Sequence, residues 1–133
     1  MPWRELPHTA DLRLEISAPD WPQLLKEATL ALAAQLGQPK QDAAPITRAL
    51  HLDALDREEL LVRWLSEILV WNELENLLPV DVEIMEADET KAVGKIILQP
   101  VRSRATNIKA VTYHGLAFEQ TAGGWVARVL FDT

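Results

Sequence analysis

The order of hydrophobic patterns along the chain predicts an α+β fold, β-α-β-α-β4, with two helices packed on one face of a mixed β-sheet. Three observations carry this. An alternating apolar stretch is followed by a capped helical stripe, the same pair recurs once, and the second half holds only alternating segments divided by short turns. The chain has 133 residues, 48% hydrophobic and 25% charged, which suits a single domain, 1–133, that buries its core without covalent staples.

Leu12, Leu14, Ile16 and Ala18 alternate with Arg13, Glu15 and Ser17, the period-two pattern of a strand with one buried face. Asp20 stands three residues before Gln23, Pro22 occupies the first turn, and Leu24, Leu25, Ala28, Leu32 and Leu36 follow at helical spacing until Gly37 and Pro39. Ile46, Leu50, Leu52 and Ala54 then alternate with Arg48, His51 and Asp53 as a second strand. Asp56 and Glu59 form a capping-box pair ahead of Leu60, Leu61, Trp64, Leu65, Ile68 and Leu69, a stripe that runs to about Asn76 and stops before Pro79.

Val80, Val82 and Ile84 alternate with acidic residues, and the polar turn 87–91 leads into 93–98, which predicts a hairpin. Residues 100–107 read as a basic loop. Segments 108–113 and 116–120 are extended around Gly115, Gly123 and Gly124 mark a tight reversal that needs positive φ, and Trp125, Ala127, Val129 and Phe131 form the last strand. Short connections suit antiparallel neighbours among the late strands, whereas the helical crossovers suit parallel ones.

The absence of cysteine excludes disulfides, zinc knuckles, iron-sulfur sites and thiol catalysis, and fits a reducing compartment, the cytoplasm. No stretch reaches ~18 uninterrupted apolar residues, and the first twelve residues lack the apolar run of a secretory signal, so no membrane is implied. A net charge of -7 opposes free-standing nucleic-acid binding. The charge is uneven. Residues 53–89 hold twelve acidic side chains against Arg57 and Arg63, while 91–133 holds six basic against Glu119 and Asp132. Each run is either a solvated face or a surface for an oppositely charged partner.

The five glycines form no phosphate-cradling loop, the three serines lack a nucleophile elbow, and no HExxH pair exists. What remains lies at strand ends. His8 and Asp11 enter the first strand, and Asp132 leaves the last, one residue before Thr133. Were those ends neighbours in the sheet, Asp11, Asp132 and the carboxylate of Thr133 would gather oxygens suited to Ca²⁺, Mg²⁺ or Mn²⁺ rather than to zinc, with His8 as a further ligand or a supporting contact. Taken singly, Asp11 also reads as a turn aspartate and Asp132 as a solvated terminal charge. Alternation over 108–114 places Lys109 with Val111 and Tyr113 on one face, where the lysine either meets an anion or covers apolar surface with its stem. His114 is a base, a metal ligand or a hydrogen-bonded half-buried histidine. Trp64 and Trp71, one heptad apart, read as core.

His8-Thr9-Ala10-Asp11, Leu60-Leu61 with Trp64-Leu65 and Glu67-Ile68-Leu69, the run IKAVTYHGL and the closing VLFD together resemble the archease family over nearly the whole chain. The resemblance implies a small cytoplasmic α+β accessory protein, not itself a catalyst, that activates an RtcB-type RNA ligase in tRNA splicing or RNA repair. Archeases promote GTP-dependent guanylylation of that ligase and its multiple turnover through a divalent-metal site, meeting GTP and RNA only through the ligase. It further implies that Asp11 and Asp132 are metal ligands, that Thr133 contributes an oxygen, and that Lys109 and His114 lie in the family's signature strand. The chain departs from the family pattern at Lys95 and over 100–107, which holds Arg102 and Arg104 but no histidine. Two other readings are a stand-alone metal-dependent hydrolase or phosphotransferase built on Asp11, Asp132, Lys109 and His114, and a structural adaptor docking through 53–89.

Overall fold

The computed structural model describes residues 2–6 and 11–133. Among them the order is β1 (Trp3–Glu5), β2 (Leu12–Ala18), α1 (Trp21–Leu36), β3 (Gly37–Pro39), β4 (Ile46–Asp53), α2 (Arg57–Glu75), β5 (Leu77–Ala87), β6 (Lys91–Arg104), β7 (Ala110–Thr121) and β8 (Gly124–Asp132). Side-chain caps set where both helices begin. Asp20, in extended backbone, accepts the Gln23 N–H at 2.8 Å, and Asp56 accepts the Glu59 N–H at 2.8 Å. The Glu59 carboxylate returns the contact to the Leu55 N–H at 3.3 Å, one residue ahead of the cap. Asn76 ends α2 in left-handed backbone with φ 57.

The helical stripes meet in one core. Trp64 is fully buried, and its indole N–H donates to the Thr29 hydroxyl at 3.0 Å, which itself donates to the Leu25 carbonyl at 2.8 Å. This chain of donors ties α2 to α1 inside the apolar interior, where an unmet polar group costs roughly 1–3 kcal/mol. Trp71, by contrast, is only partly buried and carries Arg48 over its ring.

Two sheets enclose this core. The first has the order β1-β2-β8-β7; in the second, β6 is the common strand, pairing with β3, β4 and β5. α1 packs on β2 of the first sheet and β5 of the second, and α2 on β7 and β5, so each helix touches both sheets. The α+β class is as the sequence predicts, and its arrangement differs from one mixed sheet with helices on one face. Among the described residues every pairing is antiparallel: α1 carries the chain from the first sheet to the second, and α2 carries it from β4 to β5, each of which pairs with β6 rather than with the other. Two further short strands, β1 and β3, cover edges.

Two local expectations also change. The basic loop expected at 100–107 is strand as far as Arg104, because Gly37 and Gln38 supply partners opposite Arg104 and Ser103. In the closing reversal the left-handed residue is Gly124, with φ 134, directly opposite Thr121. A Cβ there would sit 2.3 Å from the Ala18 carbonyl, so glycine is required both by the turn and by the strand beside it.

A charged row crosses the outer face of the first sheet. Glu15 receives the Arg4 guanidinium at 2.9 Å and that of Arg128 at 3.0 Å, and Arg128 also lies 3.6 Å from Glu119, so the row links all four strands. Hydrogen bonding to Arg4, with the charges of Arg4 and Arg128, holds the Glu15 carboxyl below its ordinary range against the opposing effect of burial.

Two outcomes follow for stability. Thr29→Val, which keeps the side-chain volume, should lower unfolding free energy by roughly 1–3 kcal/mol in denaturant titration, and by less in a Trp64→Phe background, where no indole N–H is left unpaired. Because the folded-state value of Glu15 is depressed, its stabilising contribution is present above the ordinary carboxylate range and is lost as pH falls through the folded value. The difference in melting temperature between wild type and Glu15→Gln should therefore shrink on acidification.

Candidate functional site

β8 lies between β2 and β7, and its register determines which side chains meet at the strand ends. Leu14 stands opposite Val129 and Leu12 opposite Phe131, all facing the core. The outward face of the same ladder has Glu15 opposite Arg128 and Arg13 opposite Leu130. The paired register ends at Leu12 and Phe131, and Asp11 and Asp132 are the next residues beyond it, so that continuing the register would set them across from each other. On the other flank Asp132 stands opposite Ala110, and the Lys109 N–H donates to the Asp132 carbonyl at 2.8 Å. The backbone of the last strand is thus held from both sides at the end where the two aspartates follow.

Asp11 is half-buried, and Asp132 and Thr133 are exposed. Like charges set across paired strands are destabilising. Among the described residues no ion pair relieves either aspartate, whereas the next outward pair, Glu15 with Arg128, is matched in sign. Two neighbouring carboxylates in a chain without cysteine are donors that suit a hard divalent cation, and they carry a negative charge that a cation would neutralise. Among the described residues no group of three or more His, Cys, Asp or Glu is placed to hold a metal ion. His8 lies outside the described residues.

Lys109 differs from its expected setting. It precedes β7 rather than standing on the apolar face with Val111, and it is exposed, because its main chain is occupied by Asp132. The strand face expected over 108–114 also breaks. Pairing with β8 shifts between Thr112 and Ala117, and Gly115 turns there with φ 68. His114 sits in this interruption, exposed, its N–H donating to the Thr112 hydroxyl at 2.9 Å. Tyr113 beside it is 55% exposed. His114 therefore stands four residues along the edge strand from Ala110, outside the row that holds the aspartates.

A polar cleft of about 550 Å³ adjoins the strand ends, lined by Asn72, Glu73, Arg104, Asn107, Ile108 and Lys109. Arg104 forms one wall of it, donating to the Asn72 side-chain oxygen at 3.0 Å, the Asn72 carbonyl at 2.9 Å and the Asn76 side-chain oxygen at 2.7 Å. The guanidinium adds a second donor to the Asn72 carbonyl, which also accepts the Asn76 N–H at 3.1 Å at the end of α2. Sequence reasoning passed over Asn72 and Arg104 as members of this region. The available signal was an asparagine on a helix stripe otherwise made of leucine, isoleucine and tryptophan.

Comparison with known proteins agrees with this architecture. Residues 3–133 match the model of the Archease protein family (MTH1598/TM1083). Protein archease of Methanopyrus kandleri is 33% identical over 141 residues, covering 99% of each chain. Protein archease of Methanosarcina barkeri is 30% identical over 135 residues, covering 96% of this chain and 92% of its own. The solution structure of Methanobacterium thermoautotrophicum protein 1598 superposes with a TM-score of 0.82 at 24% identity over 99% of each chain. A crystal structure of an archease from Thermotoga maritima, described as a possible chaperone, superposes at 0.70 with 24% identity, covering 98% of this chain and 96% of that one. Those two structural likenesses speak for the fold. With a family match along almost its entire length, the chain belongs to the archease family.

Proposed function

We propose that this protein is an accessory activator of an RtcB-type RNA ligase, serving tRNA splicing or RNA repair, and that its strand ends work at the ligase's nucleotide site. The observation that supports the reading is the β2–β8 register, whose end at Leu12 and Phe131 leaves Asp11 and Asp132 as the next residues on the two strands. Family membership supports an accessory role, and the net charge of -7 suits a protein that meets RNA only through its partner.

In this reading Asp11 and Asp132, with Thr133, hold a divalent cation, Ca²⁺, Mg²⁺ or Mn²⁺, which when bound neutralises phosphate charge during GTP-dependent guanylylation of the ligase. The chain's own residues supply position. The Lys109 main chain fixes Asp132, the packed Leu12 and Phe131 hold the two aspartates in register, and the exposed Lys109 side chain offers a positive charge near the partner's nucleotide. Tying two carboxylates to the ends of paired strands, rather than to a loop, keeps their spacing constant as the partner is engaged.

Asp132→Asn should keep the wild-type fold by circular dichroism yet lower stimulation of ligase guanylylation by roughly tenfold or more, the scale on which disturbed metal sites lose function. Mn²⁺, Mg²⁺ or Ca²⁺ should raise the melting temperature of the wild-type protein and leave that of Asp11→Asn and Asp132→Asn unmoved. Full stimulation by Asp132→Asn would overturn the mechanism, and turnover of phosphoester substrates by the purified protein alone would identify a hydrolase or phosphotransferase instead.

A further inference from the structure

The solvent side of α2 carries a feature that the paired aspartates do not use. Helical spacing puts Glu67, Val70, Trp71 and Leu74 on one outward face. Leu74 is 76% exposed and Val70 45%. Trp71 and the 42%-exposed Ile46 carry the surface across to β4, where Arg48 lies 5.4 Å from the Trp71 ring centre and pairs with Glu75. Scattered apolar side chains are ordinary on any protein surface, but four gathered on one helix-strand junction form a patch.

The rim of the patch states the chemistry of what covers it. Residues 64–75 hold Glu67, Glu73 and Glu75 and no basic residue, and the nearby Arg48 is neutralised by its pairing with Glu75. Such a rim repels phosphate and selects a protein surface whose apolar side chain stands among lysines or arginines. The patch also runs on into the candidate site, since Asn72 and Glu73 line the same cleft as Lys109, whose main chain holds Asp132.

The geometry points to this face of α2 as the docking surface for the partner ligase, an inference that rests on the proposed function. An apolar side chain of the ligase, flanked by basic ones, seats over Val70, Trp71 and Leu74, while the adjoining strand ends reach the reactive centre. Docking and stimulation then belong to two separate sets of residues.

Titrating the purified protein into a fixed amount of purified ligase and following guanylylation yields a half-saturating concentration and a plateau. Leu74→Lys and Val70→Lys should each raise the half-saturating concentration by roughly tenfold or more, as expected of central interface positions, while the plateau is retained. Their exposure predicts unchanged melting temperatures, which separates lost docking from lost folding. Asp132→Asn should instead lower the plateau. Wild-type half-saturation in both α2 variants would overturn the docking surface even if Asp132→Asn abolishes stimulation, and a full plateau in Asp132→Asn would overturn the underlying function itself. A wild-type dimer in sedimentation that Leu74→Lys dissociates would assign the face to a second copy and also overturn the inference.

Discussion

The antiparallel pairing of β2 with β8 is the constraint on which the rest of the structure depends. It joins the early part of the chain to its end, places Leu12, Leu14 and Ile16 beside Ala127, Val129 and Phe131 in the core, and by the same alternation decides what stands on the outer face. A slip of one residue would turn every buried side chain of one strand outward, so the apolar content of the ladder locks its register. The paired aspartates are a consequence of that lock. The site takes its geometry from hydrophobic burial rather than from a bond of its own.

The second sheet and the helices complete the enclosure. β6 serves three partners in succession, and the helices fill the space between the sheets through a stripe joined by the Trp64–Thr29 hydrogen bond. Several polar features are answered within the fold. Arg104 closes the end of α2, Glu15 draws two guanidinium groups across the outer face, and Trp21 donates its indole N–H to the Asp88 carbonyl at 2.9 Å. Against this background two neighbouring carboxylates of like sign, and exposed apolar side chains on α2, depart from local self-sufficiency. Both fit a protein that completes its interactions with a partner.

Much of the fold was legible in the sequence because it depends on local chemistry. Asp20 and Asp56 announce their helices by the same N–H acceptance seen in the structure, and β2 and β8 alternate cleanly because one face of each is buried and the other wet. What was not legible depends on partners far away in sequence. β1 and β3 are too short to show a period, and 101–104 is polar, extended only because Gly37 and Gln38 lie beside it. Division into two sheets follows from which strands meet, and no periodicity encodes that. For the site, the residue types were readable at both ends of the chain, but their juxtaposition lies in the register of Leu12 with Phe131. The setting of Lys109 was misread because alternation was carried one residue past the start of β7.

The wide sequence separation of the facing aspartates has a consequence for assembly. Their strands close a loop of about 120 residues, a contact of high order whose entropic cost is recovered only once most of the core has formed. A chain that has built its helices and the β5–β6 hairpin but has not yet zipped its first strand to its last presents single, separated carboxylates. The two carboxylates therefore come together only when the most distant parts of the chain have met.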